Sequence, residues 1–185
     1  MSMFGDGLDK AVQRSFTRPV PKSAGARMRY LVKQLKGTGA VAQMLRISQR
    51  TVERYVKDQI KKPRPDLAGR LEAEVKKRWQ PQIRARARER AATTDGIVID
   101  TRARLGYTAP VGTTDQDRIR HLTVALPPQY AARLFDARQA GATDQRLQQI
   151  AAEALRDVYF QDGGRRAGGL EEVRFTDVEH IEFDL

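Results

Sequence analysis

Cysteine is absent from the chain. That excludes a disulfide framework, a thiolate metal site and a cysteine nucleophile, and it favours an intracellular setting. The longest apolar runs are a few residues, far short of the roughly 20 that a helix needs to cross a bilayer, so no membrane association is expected. The opening MSMFGDGLDK lacks the apolar core of a secretory signal. No lysine follows Lys77, and the two histidines, His121 and His180, lie far apart in the sequence. There is no GxxxxGK(S/T) phosphate loop, no HExxH helix and no paired catalytic constellation. The expectation is a non-enzyme with no metal or cofactor of its own.

The positive charge is unevenly spread. The net charge is +11, yet residues 1–96 hold 23 Lys/Arg against 9 Asp/Glu, while residues 97–185 hold 11 against 14. A basic half joined to a mildly acidic one points to a nucleic-acid-binding domain beside a domain with another task. At 185 residues the chain suits one domain or two small ones. The expected division is 1–95, helical and basic, and 96–185, mixed. The fold class is α+β: an all-helical helix-turn-helix domain followed by a β-β-α-α-β domain with a small antiparallel sheet.

The centre of the basic half is Thr38–Lys57, TGAVAQMLRISQRTVERYVK. Its spacing predicts two short helices joined by a tight turn, with Val41, Ala42, Leu45, Ile47, Val52 and Tyr55 where the helices touch. Ser48 is placed to cap the second helix through its hydroxyl. Gln49, Arg50, Glu53, Arg54 and Lys57 then line the outward face, spaced to reach base edges and phosphates in a major groove. Arg46 stands where many such motifs carry glycine, a turn that arginine adopts at some steric cost. The alternative is a plain helical hairpin.

Residues 1–22 read as a short helical turn and an irregular basic arm, and Ser23–Leu35 as an amphipathic helix ended by Gly37. The stretch KKPRP, with Lys61, Lys62 and Arg64, is a proline-stiffened basic linker that either touches phosphate or is solvated. Asp66 is expected to cap a helix with Leu67, Leu71, Val75 and Trp79 on one stripe, ended by Pro81. Residues 83–92 place Arg84, Arg86, Arg88 and Arg90 around most of a helix, leaving Ile83, Ala87 and Ala91 as a thin seam. Such a helix is a partly disordered connector or a segment ordered on a phosphate backbone.

In the second half the periodicity predicts strands over 96–105, 118–126 and 173–185. A helix opens after Pro127-Pro128, and another follows Thr143 with Leu147, Ile150, Ala151, Ala154, Leu155 and Val158 at helical spacing. The final strand places Phe175, Ile181, Phe183 and Leu185 on one parity. The strand–helix–helix stretch from His121 to Phe160 is similar to the ribbon-helix-helix pattern. The face opposite Leu122, Val124 and Leu126 (Ile119, His121, Thr123, Ala125) is poor in base-reading groups, so the region reads as a folding or homodimerisation module. Between the first two strands lies GYTAPVGTTDQD, residues 106–117, with Thr113 and Thr114 beside Asp115 and Asp117. Its side chains either satisfy local backbone amides or act from an exposed loop.

Taken together, the opening MFGDGLDKAVQRSFTRP, the motif GAVAQMLRISQRTVERYVKDQIKKPRP, the loop GYTAPVGTTDQDRIR and the close FTDVEHIEFDL carry a full-length resemblance. The chain resembles the telomere terminal proteins, commonly called Tpg, of Streptomyces-type linear bacterial chromosomes and plasmids. The resemblance implies a DNA-binding protein covalently joined to the 5′ ends of linear DNA. It serves as primer for end-patching replication and as end cap, in the cytoplasm at the nucleoid. It further implies that the acceptor is Thr114, with Thr113 the neighbouring candidate. Implied partners are telomeric DNA, a telomere-associated protein (Tap) and a DNA polymerase. A threonine hydroxyl needs a base or metal to attack an α-phosphorus. The resemblance places Mg²⁺ at the polymerase for that activation, and a deoxynucleoside triphosphate there as the source of the phosphorus. Asp115 either mimics the charge of a primer terminus or caps a turn. The alternative function is a helix-turn-helix transcriptional regulator whose C-terminal half is a dimerisation or effector module.

Overall fold

A computed structural model describes residues 2–108 and 118–185. The chain is mixed, with eight α-helices and one three-stranded antiparallel sheet among the described residues. The helices are α1 (Met3–Arg14), α2 (Ala24–Leu35), α3 (Thr38–Leu45), α4 (Gln49–Val56), α5 (Pro65–Arg78), α6 (Pro81–Arg90), α7 (Pro128–Gln139) and α8 (Asp144–Leu155). The strands are β1 (Ile97–Thr108), β2 (Arg118–Leu126) and β3 (Glu172–Asp184), in spatial order β2-β1-β3.

The chain divides into two compact units, residues 17–81 and residues 1–16 with 82–185. The boundary expected at 95/96 therefore lies elsewhere, for a physical reason at each end. Residues 3–14 are a full helix and not a short turn: Phe4, Leu8, Ala11 and Val12 bury fully and share a core with Ile97, Ile99, Leu134, Leu147 and Phe183. Residues 91–95 form a π-helical turn whose Ala91 enters the same core.

In the 17–81 unit, α2 starts at its Ser23 cap, whose hydroxyl accepts from the Ala26 amide at 3.2 Å. It ends at Leu35, two residues before Gly37, with Lys36 in the left-handed region at φ 57°. Met28, Leu31, Val41, Leu45, Val52, Leu71 and Val75 are buried together. Pro65 opens α5 at the position where a missing N–H costs nothing, which leaves Asp66 in the first turn and not at the cap. Tyr30 and Trp79 meet edge to face at 4.8 Å and close the bottom of this core. Burial raises the Tyr30 phenol above its ordinary value.

In the other unit β1 is the central strand. It pairs with β2 without interruption from Ile97↔Leu126 to Leu105↔Arg118. Its pairing with β3 shifts register twice, at Arg102/Ala103 and Arg104/Leu105. These bulges break the single parity expected for β3: Val173 and Phe183 are buried, Val178 is half-buried, and Leu185 is exposed. Asp144 fastens α1 to the start of α8. Its carboxylate accepts from the Phe4 and Gly5 amides at 3.2 and 2.9 Å and from the Ser2 hydroxyl at 3.0 Å. Gly96 turns the chain into β1 at φ 73°, where a Cβ would stand 2.2 Å from the Leu126 carbonyl oxygen. No helix among the described residues is long and apolar enough to cross a membrane.

Candidate nucleic-acid interface

Residues 46–48 join α3 to α4. Val41, Ala42 and Leu45 bury against Val52 and Tyr55, which fixes how the two short helices cross. Arg46 takes the left-handed conformation at φ 53°, and its amide reaches back to the Ala42 and Gln43 carbonyls. The position does demand the backbone that glycine adopts most cheaply. Half-buried Ile47 packs beside this core. Ser48 caps α4, its hydroxyl accepting from the Thr51 amide at 3.2 Å.

The outward face of α4 carries two kinds of side chain. The Gln49 amide group donates to the Thr38 hydroxyl and to Glu53, both at 3.0 Å, so these polar groups brace the two helices. Arg50, Arg54 and Lys57 are exposed, as are Lys61, Lys62 and Arg64 beyond the helix. None of these six cations forms an ion pair with a described residue. By contrast, Arg29 engages Asp58 at 2.7 Å and the Val56 carbonyl at 2.9 Å, and so holds the end of α4. Residues 17–81 hold 17 Lys/Arg against 5 Asp/Glu, and the remaining residues 17 against 18. Essentially the entire charge excess of the chain thus belongs to the unit that presents α4.

The arginine-rich helix is α6, and beyond Pro81 it belongs to the sheet-containing unit. Arg86 and Arg90 are exposed, and Arg90 pairs with Asp95 at 2.8 Å. Arg84 and Arg88 are half-buried. The Arg88 guanidinium lies 5.9 Å from the Phe135 ring centre, and its Nε is buried without a partner. Burial, reinforced by nearby Arg84, lowers the pKa of Arg88 from its ordinary value. The four arginines therefore do not present one common face.

The 106–117 loop is in part strand: β1 runs on through Gly106, Tyr107 and Thr108. Thr113, Thr114, Asp115 and Asp117 lie outside the described residues. Arg174 donates to the Thr108 hydroxyl at 3.3 Å, and Tyr107 lies 6.3 Å from the Phe160 ring.

Sequence distance hid one cluster. On the sheet face away from the core, Arg102 of β1 is paired with His121 of β2 and with His180 of β3. Both imidazole Nε2 atoms stand 3.4 Å from the same oxygen of Asp100. Thr123 donates its hydroxyl to the other oxygen. That hydrogen bond, then the imidazoles, holds the Asp100 carboxyl below its usual range. Among the described residues no group of three or more His, Cys, Asp or Glu is placed to hold a metal ion. The partners of Asp100 are separated by tens of residues, so only strand register could have revealed them.

No protein-family model, curated protein or solved structure matches this chain.

Proposed function

We propose that this chain is a terminal protein of linear DNA. The 17–81 unit grips nucleic acid, with α3 and α4 acting as a helix-turn-helix and α4 lying in the major groove. The second unit carries the alcohol that becomes the 5′ end. The observation that supports the reading most strongly is the set of six exposed, unpaired cations on and just beyond α4, in a unit with 17 basic against 5 acidic residues. With no carboxylate partner among the described residues, each of these cations can neutralise a phosphate and release a condensed counterion from the DNA. Arg50 and Arg54 are the candidates for base edges, and Lys57, Lys61, Lys62 and Arg64 for phosphates.

The covalent step is supported by the resemblance and by the chemistry available. The Thr114 hydroxyl attacks the α-phosphorus of a deoxynucleoside triphosphate. A phosphodiester forms at Oγ, the α–β anhydride breaks, pyrophosphate leaves, and the proton passes to a base in the polymerase. Mg²⁺ at that polymerase activates the alcohol and neutralises the leaving group. The telomere-associated protein brings the complex to the single-stranded end, and the protein stays there as a cap, on chromosome ends in the bacterial cytoplasm.

A reconstituted priming reaction with polymerase, telomere-associated protein, Mg²⁺ and labelled deoxynucleotide tests this. Wild-type and Thr113→Ala chains take up label, and Thr114→Ala does not while still binding DNA. Unchanged labelling of Thr114→Ala refutes the acceptor assignment. Labelling of no variant at all, with DNA binding intact, favours a transcriptional regulator instead.

A further inference from the structure

We propose that the groove between α8 and the first half of β3 is a binding site for a nucleoside phosphate. The ligand class rests on the priming reading above; the groove itself stands on its own geometry. It has a volume of about 390 Å³ and is lined by Gln145, Gln148, Gln149 and Arg156 of the helical side, with Arg174 and Phe175 opposite. Ligand sites start at about 300 Å³, so this one suits a single nucleotide and not a longer segment.

The lining is unusual for a solvated helix flank. Gln145, Gln148 and Gln149 stand at i, i+3 and i+4 on α8, so three carboxamides share one face. Each carboxamide has a carbonyl acceptor and two N–H donors and carries no charge; Gln148 gives one N–H to the Phe175 carbonyl at 3.4 Å and the Gln149 carbonyl accepts from Arg146 at 3.2 Å, which leaves each with further hydrogen-bonding capacity. Such a stripe does not select a bare ion. It matches the mixed donor and acceptor edge of a heterocyclic base. Buried Ala152 and Val173, with half-buried Phe175, provide an apolar floor for base and sugar.

The phosphate end is given by two guanidinium groups already held in place. Arg156 donates from Nε to Asp157 at 2.7 Å and from one terminal nitrogen to the Glu171 carbonyl at 3.0 Å. Arg174 bonds the Thr108 hydroxyl and lies 3.8 Å from Glu172. A guanidinium has five N–H donors, so its two contacts orient Arg156 without using all of them. The acidic lining residues are engaged as well: Glu153 pairs with Arg133, and Glu172 with Arg174. Through Thr108 the groove adjoins the point where β1 passes into residues 109–117, which include the candidate acceptor.

The test uses the full chain and isothermal calorimetry with the four deoxynucleoside triphosphates, the four nucleosides, inorganic phosphate and a 5′-phosphorylated trinucleotide. At least one triphosphate or the trinucleotide binds saturably, and nucleosides and phosphate bind at least tenfold more weakly. Which of the first two is tighter tells whether the site serves the incoming nucleotide or the end of a strand. The double change Gln148→Ala, Gln149→Ala weakens that binding tenfold or more. The exposed single change Gln149→Glu, which leaves the fold intact by circular dichroism, weakens it too. Equal affinity for phosphate alone overturns the proposal, because paired arginines would then suffice. Absence of binding, or affinity unmoved by both glutamine variants, overturns it as well. Saturable nucleotide binding in a chain whose Thr114 is never labelled keeps the groove and removes the priming reading. Labelling at Thr114 with no nucleotide affinity in the groove does the reverse.

Discussion

If the four cations assigned to phosphate meet the DNA backbone, the salt dependence of DNA binding has a size that follows from their number. Each neutralised phosphate contributes about −0.9 to the slope of log Kobs against log salt. Lys57, Lys61, Lys62 and Arg64 together give a slope of about −3.6. Between 50 and 200 mM salt that amounts to a loss of roughly 150-fold in affinity. Fluorescence anisotropy of a labelled duplex, titrated at five salt concentrations, reads the slope directly. The triple change Lys61→Ala, Lys62→Ala, Arg64→Ala should flatten it by about 2.7, equally on telomeric and random DNA. Arg50→Ala should weaken telomeric binding by about 1–3 kcal/mol more than random binding if it makes a bidentate base contact. A wild-type slope shallower than about −2, or one unmoved by the triple change, would refute the assignment of these cations to phosphate.

Three further outcomes concern the unit that carries the sheet. Asp144→Ala strips a carboxylate from two amides at the start of α1 and from the first turn of α8, so urea unfolding of that unit should show a loss of about 2 kcal/mol. A loss below about 0.5 kcal/mol contradicts the capping account. Gly96→Ala forces a Cβ to 2.2 Å from the Leu126 oxygen at φ 73°, and the unit should lose about 3 kcal/mol or more by the same assay. Tyr130, raised to about 12 by burial and then by its bond to Asp157, should keep its phenolic proton until near that pH in a 295 nm titration. Its folded pKa lies above its unfolded value. Its stabilising contribution is therefore complete below pH 10 and lost as pH rises toward 12. Tyr130→Phe should remove that part of the alkaline decline.

The parts legible in the sequence were those decided by local periodicity. The α3–α4 pair follows from Val41, Leu45, Val52 and Tyr55, and Ser48 announced its own cap. The order of strands and helices after residue 96 follows from alternation and from Pro127-Pro128. Long-range pairing was not legible. The helix α1 mixes charges and two buried glycines with its apolar positions, and its core partners Leu147 and Phe183 are far along the chain. A parity pattern does not survive bulges, so β3 read as a single face. Arg88 looked like a phosphate ligand because nothing in IRARARER reveals that Phe135 lies beneath it. The glutamines of α8 carry no signal in the sequence, because the apolar stripe on the other face accounts for the helix and only the fold brings β3 opposite them.

The central claim is that one threonine alcohol of the sheet-bearing unit ends as a phosphodiester to DNA. Nuclease and protease digestion of linear DNA ends from cells making this chain, followed by mass spectrometry of the nucleotide-bearing peptide, tests it most directly. The account predicts a peptide spanning residues 106–117 with a single deoxynucleotide on Thr114. Ends free of polypeptide, or a nucleotide on another side chain, contradict it.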